Sequence, residues 1–142
     1  MKIVIVSDHA GYDLKEKRIE KFYNILNFTD LGTNSSVSVD YPDFAHKAAM
    51  KMQDKDYLFA ILICGSGNGI QMTANKHQNI RCALCWNKEI AELARAHNDA
   101  NALALPARYL NFSDAFNIIN AFINTPFEGG RHNRRKEKIS CA

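Results

Sequence analysis

The sequence predicts an α/β fold: a five-stranded parallel sheet with helices on both faces. Three observations carry this reading. Short apolar runs rich in Ile and Val lack in–out alternation, so they read as strands buried on both sides. Between them, apolar residues recur at spacings of three and four, the pattern of amphipathic helices. The two patterns alternate along the chain, which implies parallel strands joined by right-handed crossovers.

The first strand covers residues 2–7 and is broken at Gly11. A helix follows from Asp13, its expected N-cap, to Leu26, with Ile19, Phe22, Tyr23 and Leu26 on one face. Phe28–Leu31 reads as a short strand ending at Gly32, and residues 34–40 as a polar loop. Pro42 suits the first turn of a second helix that turns Phe44, Ala45, Ala48, Ala49 and Met52 inward. Leu58–Cys64 is the most apolar strand; residues 65–69, Gly-Ser-Gly-Asn-Gly, end it, and a helix starts near Ile70. Ile80–Trp86 is strand-like, and Lys88–His97 is helical with Ile90, Ala91 and Ala94 inward. Ala102–Leu105 is the fifth strand. A last long helix carries Ala115, Phe116, Ile119, Phe122 and Ile123, with Ser113 or Asp114 near its start. Gly129 and Gly130 separate it from a basic tail that can itself be helical.

At 142 residues, 46% apolar and 23% charged, the chain has the composition of one globular domain. A collagen-like rod, a coiled coil and a disordered tail are excluded. No apolar run approaches the length of a membrane span, and residues 3–6 are too few for a signal-peptide core, so a cytoplasmic protein is expected. In that compartment Cys64, Cys82, Cys85 and Cys141 read as buried or reactive thiols rather than disulfides. Charge is uneven: residues 131–142 carry five basic side chains against Glu137, a net +4, whereas residues 1–130 carry −1.

In open α/β sheets ligands bind beyond the carboxyl ends of the strands. That rule selects Asp8 and His9, the segment Cys64–Gly69, Asn87, and Pro106–Arg108. Gly65, Gly67 and Gly69 free the backbone for close approach and positive φ, and the strand-to-helix turn directs amides outward, a nest for an oxyanion or phosphate. A tight turn needed only for packing is the alternative. The spacing fits neither a dinucleotide fingerprint, which would need glycine at Ile70 or Met72, nor a Walker loop. A helix N-terminus lowers the pKa of a thiol, so Cys64 can serve as base or nucleophile, or else be a small buried hydrophobe. Cys82 and Cys85, three apart, fall on opposite faces of a strand and read as packing. His97-Asn98-Asp99 closes a helix, where the imidazole can pass protons or satisfy helix carbonyls. His46 and His77 read as surface residues, and no Cys/His set has metal-ligand spacing. Arg131 and Arg135 share a helical face and can clamp a phosphate; a solvated end is the bland alternative, and the lack of interleaved aromatics argues against nucleic acid.

These residues resemble the type B ribose-5-phosphate isomerases, the family that includes the galactose-6-phosphate isomerase subunits. The likeness covers nearly the whole chain. It rests on Ser7-Asp8-His9-Ala10-Gly11, Asp40-Tyr41-Pro42, Cys64-Gly65-Ser66-Gly67-Asn68-Gly69, Ala74-Asn75-Lys76, Ile80-Arg81, His97-Asn98-Asp99, and Gly130-Arg131-His132 with Arg135. The resemblance implies a Rossmann-like three-layer sandwich. It implies a pentose-phosphate-pathway enzyme that interconverts ribose 5-phosphate and ribulose 5-phosphate with no metal or nucleotide cofactor. It also implies a homodimer or homotetramer with active sites at the subunit interface. Carried over residue by residue, Cys64 is the base and His97, helped by Asp8, opens the sugar ring. The amides of Gly65, Gly67, Asn68 and Gly69, with Ser66, hold the enediolate. His9, Arg108, Arg131 and Arg135 bind phosphate, and Tyr41 and Asn98 contact the sugar. Some members replace the cysteine by a glutamate just after the loop; here that position is Ile70, so the chain resembles the cysteine type. Six-carbon sugar phosphates such as allose or galactose 6-phosphate remain open, as does a non-catalytic sugar-phosphate binder. No membrane or nucleic-acid partner is expected.

Overall fold

The structure is a computed structural model that describes residues 1–22 and 25–141. Its strands are β1 (Lys2–Ser7), β2 (Asn27–Asp30), β3 (Tyr57–Cys64), β4 (Cys82–Leu84) and β5 (Ala102–Pro106). Its helices are α1 (Tyr12–Phe22), α2 (Tyr41–Lys51), α3 (Asn68–Ala74), α4 (Lys88–Asn98), α5 (Phe112–Asn124) and α6 (Arg131–Glu137). All strand pairs are parallel, in the order β2-β1-β3-β5-β4. Among the described residues no helix is long and apolar enough to cross a membrane.

Period-two geometry divides the inner strands between two cores. Ile3, Ile5, Ile61, Ile63, Leu103 and Leu105 meet α1, α4 and α5 through Leu14, Ala91, Ile118, Ile119 and Phe122. Val4, Val6, Ala60, Leu62, Ala102 and Ala104 meet α2 and α3 through Phe44, Ala45, Ala48, Ala49, Ile70 and Ala74. Burying each large aliphatic side chain contributes roughly 1.5–3 kcal/mol, which is why β1 and β3 read as unbroken apolar runs. Cys82 and Cys85 fall on opposite sides of the sheet, as expected.

Several boundaries differ from the sequence reading. Asp13 does not cap α1. Asp8 accepts a hydrogen bond from Gly11 N–H at 3.1 Å, capping a 3-10 turn over His9–Gly11 that leads straight into the helix. Gly11 therefore does not break the chain; a Cβ there would stand 2.6 Å from the Ile63 carbonyl oxygen, so β3 itself demands glycine. Tyr23 lies outside the described residues, as does the side chain of Ile19. Helix α5 starts at Phe112, with Ser113 and Asp114 in its first turn as expected, and Asn111 caps it by accepting from Asp114 N–H at 2.8 Å. Strand β4 is three residues, not seven. It lies at the sheet edge, and side chains take over its hydrogen bonding: Asn75 accepts from Cys82 N–H (2.7 Å) and donates to Cys82 O (2.9 Å), while Asn101 accepts from Arg81 N–H (2.7 Å).

Candidate active site

The chain leaves β1 in one direction to form β2 and crosses back to place β3 on the other side of β1. A crevice opens where neighbouring strands send their connections apart. Here it is a cleft of about 360 Å³ lined by Asp8, His9, Ala10, Tyr41, Cys64, Gly65, Ser66, Gly69, Arg108 and Tyr109. Three of the four strand ends selected from sequence thus meet. The fourth does not: Asn87 caps α4, accepting from Ile90 N–H at 2.9 Å.

Cys64 ends β3, only 3% exposed but bordering the cleft. Its thiol is pushed above the ordinary value of 9.0, first by burial; backbone N–H groups of Ile70, Gly67 and Ser66 point at the sulfur and pull the other way, and the Asp8 charge adds to the rise. The expected lowering is therefore overturned, because desolvation of the thiolate outweighs the amides.

The glycine loop is shaped by side chains that lie against it. Only Gly67 of its three glycines has positive φ (78°), and a Cβ there would stand 2.4 Å from Leu84 Cδ1. At Gly69 a Cβ would stand 2.4 Å from the Tyr41 ring, and at Gly65, 2.9 Å from the Arg108 guanidinium. The close approach read from the sequence is thus first an approach by the protein's own residues. Ser66 Oγ accepts from Asn68 N–H at 3.3 Å. Asp8 is buried and its carboxylate is fixed by Gly11 N–H. The His9 ring is anchored through Nδ1, 3.2 Å from both the nitrogen and the oxygen of Val39.

His97, Asn98, Arg131 and Arg135 do not line this cleft within one chain. They gather where α4 ends and α6 begins. His97 stacks on His132 with ring centroids 4.3 Å apart and planes at 13°. Arg131 and Arg135 stand exposed on α6. Asp99, in the left-handed conformation (φ 48°), binds Arg95 at 2.9 Å and Lys136 at 3.2 Å, tying α6 to α4. Burial raises the Asp99 carboxyl pKa, but hydrogen bonds from Arg95 and Lys136 and the charges of Arg95 and Arg81 prevail and hold it below the usual carboxylate value. The His132 pKa is lowered, by desolvation first and then by the His97 and Arg131 charges. Glu128 was invisible in the sequence, yet His97, Glu128 and His132 offer three donor atoms all within 4.8 Å of one another. Spacing along the chain does not show this group, because it is assembled from the end of α4, the segment before α6 and α6 itself.

A larger cavity of about 680 Å³ lies between β4 and the C-terminal segment, lined by Arg81, Cys82, Asn98, Lys136 and Ile139 among others. Among the described residues Asn98 is the only predicted site residue on its wall, and Cys64 is not among those that line it. The smaller cleft is therefore the candidate site.

The model of the Ribose/Galactose Isomerase family matches residues 3–139. Ribose-5-phosphate isomerase B of Escherichia coli is 37% identical over 141 residues, covering 99% of this chain and 95% of its own. A ribose 5-phosphate isomerase structure from Thermotoga maritima superposes with a TM-score of 0.96 at 45% identity, covering 99% of this chain and 98% of that one. The Mycoplasma genitalium ribose-5-phosphate isomerase B, solved with bound ribulose-5-phosphate, superposes with a TM-score of 0.92 at 42% identity over 97% and 93% of the two chains. With five parallel strands between two helical layers, and these matches end to end, the chain belongs to the ribose/galactose isomerase family.

Proposed function

We infer that the protein is an aldose–ketose isomerase that interconverts D-ribose 5-phosphate and D-ribulose 5-phosphate, with Cys64 as the base. The observation that carries this is the sulfur of Cys64 at the head of an open cleft, met by three backbone N–H groups and flanked by Asp8, His9 and Arg108. A cleft of this size suits a small ligand.

After ring opening, the Cys64 thiolate takes the proton from C2 of the aldose. The C2 electrons form a C1–C2 double bond and the carbonyl pair moves to O1, giving an enediolate. The thiol returns the proton to C1 while the hydroxyl proton leaves O2 and O1 gains one, so atoms and charge balance. Preorganised donors aimed at the developing oxyanion are worth several kcal/mol. Ser66, Gly67 and Ile70 amides already serve the sulfur, and Asn68 N–H serves Ser66 Oγ. The Gly65 and Gly69 amides are thus the donors for the enediolate oxygens. His9 and Arg108 hold the phosphate and Tyr41 the sugar. Remote phosphate binding then assists the reacting centre.

The ring-opening His97, the sugar contact Asn98 and the phosphate clamps Arg131 and Arg135 come from a second copy of the chain. Their position outside the cleft supports a homodimer or a larger homo-oligomer with shared sites. Residues 1–142 act as one domain, with 131–142 as its basic arm. Four free cysteines suit a cytoplasmic enzyme of the pentose phosphate pathway.

The test is turnover of ribose 5-phosphate by the purified protein, compared with allose and galactose 6-phosphates. Ribulose 5-phosphate as the preferred product supports the reading. Binding without turnover, or preference for a six-carbon substrate, overturns it.

A further inference from the structure

We propose that His97, Glu128 and His132 form a binding site for a divalent transition-metal ion of the zinc class, and that its occupation silences the isomerase. The second half rests on the role given to His97 above; the first does not.

Glu128 Oε2 lies 3.9 Å from His97 Nε2 and 3.6 Å from His132 Nε2. Both separations exceed hydrogen-bond length, so the carboxylate bonds to neither ring as they stand. Zinc binds such donors at about 2.0–2.2 Å, which sets tetrahedral ligand atoms roughly 3.3–3.5 Å apart. The two Glu128 gaps need to close by only a few tenths of an ångström, and all three donor atoms lie within 4.8 Å of one another. The two rings, stacked with planes at 13°, must rotate out of the stack so that their lone pairs converge on one ion. Two imidazoles and one carboxylate select zinc-like ions over magnesium or calcium and leave a fourth position open.

The backbone holds the three donors together. Glu128 N–H donates to Ala96 O at 3.0 Å, fastening the strap to α4 one residue before His97. Gly129 and Gly130, with φ of 71° and 56°, turn the chain so that His132 comes back toward Glu128. The ion pairs of Asp99 with Arg95 and Lys136 clamp α6 to the same end of α4. His132 is buried, whereas Glu128 and His97 are open enough to admit an ion. The charges of Arg131 and Arg135 oppose a cation, which favours a reversible site over a permanent one. A metal on His97 Nε2 occupies the lone pair with which that nitrogen would exchange a proton with a sugar ring oxygen, hence the inhibition.

The test titrates Zn²⁺, Co²⁺ and Mg²⁺ into the full chain by calorimetry, with activity measured in parallel. We expect one Zn²⁺ per chain, no binding of Mg²⁺, and inhibition by Zn²⁺ that EDTA reverses. Glu128→Gln, a surface change that leaves the fold intact, weakens Zn²⁺ binding at least tenfold; His132→Asn does the same, and His46→Gln, at the exposed His46–His77 pair, does not. Unchanged affinity in Glu128→Gln overturns the site. So does a thiolate charge-transfer band in the Co²⁺ spectrum that disappears in Cys64→Ser, since the ion would then be on sulfur. If Zn²⁺ binds as described but the metal-free chain isomerises nothing, the proposed function falls and the metal site stands.

Discussion

Arg108 rests on Gly65. Its backbone N–H donates to the Gly65 carbonyl at 3.0 Å, and its guanidinium lies 2.9 Å from where a Cβ on that glycine would be. A methyl group there would displace the flexible end of the arginine rather than backbone. Gly65→Ala is therefore expected to leave the melting temperature nearly unchanged. It should raise KM for ribose 5-phosphate on the order of tenfold, the cost of about one weakened charged contact. Steady-state kinetics beside a thermal melt check it; a large loss of stability would mean the loop, not the arginine, was disturbed.

Gly67 answers differently to the same change. With φ at 78° and Leu84 Cδ1 2.4 Å from its virtual Cβ, Gly67→Ala combines backbone strain with a core clash. A destabilisation of about 1–3 kcal/mol is expected in urea unfolding. An unaltered midpoint would contradict this packing.

Cys64→Ala should lower kcat by about 10²–10⁴-fold, the usual contribution of a positioned base, with the fold retained. Near-normal turnover in a folded variant would remove the sulfur from the mechanism.

Thiol chemistry gives a pH test. Because burial raises the Cys64 pKa above 9.0, the thiolate is the minor form at neutrality. Alkylation by iodoacetamide in a Cys141→Ser background should climb throughout pH 7–9 with no plateau. Cys85, pushed up to about 12, and Cys82, higher still, stay unlabelled in the native protein. A plateau near pH 7 would show that the amides, not burial, control the thiol.

Shared sites can be tested by mixing. Cys64→Ala and Arg135→Ala homomers are each expected to be impaired, yet subunit exchange between them should restore activity, since one native cleft then forms in the hybrid. Failure to recover any activity after proven exchange would put both residues on one chain.

Asp99 links α6 to α4, and its folded pKa lies below the unfolded value. Its stabilisation is therefore fully present above about pH 4 and is lost as pH falls through the folded pKa. Asp99→Asn keeps a side chain that tolerates the left-handed backbone. It should melt below the wild type at pH 7, with the difference vanishing in acid; a pH-independent difference would point to packing instead.

The α/β architecture, both helical layers and the loop after β3 were legible in the sequence, because apolar periodicity and strand-to-helix order are local properties. So were Asp8, His9, Cys64 and Arg108 as neighbours, since the carboxyl ends of parallel strands must lie on one side of the sheet. Three things belonged to the tertiary structure alone. The thiol of Cys64 is raised rather than lowered, because burial depends on what packs around β3. Strand β4 shrinks because Asn75 and Asn101, distant in the chain or across a turn, take its hydrogen bonds. Glu128 meets His97 and His132 because two glycines and an ion-pair knot fold the chain back on α4. Desolvation, edge satisfaction and proximity are set by contacts between elements, and residue order along one element does not encode them.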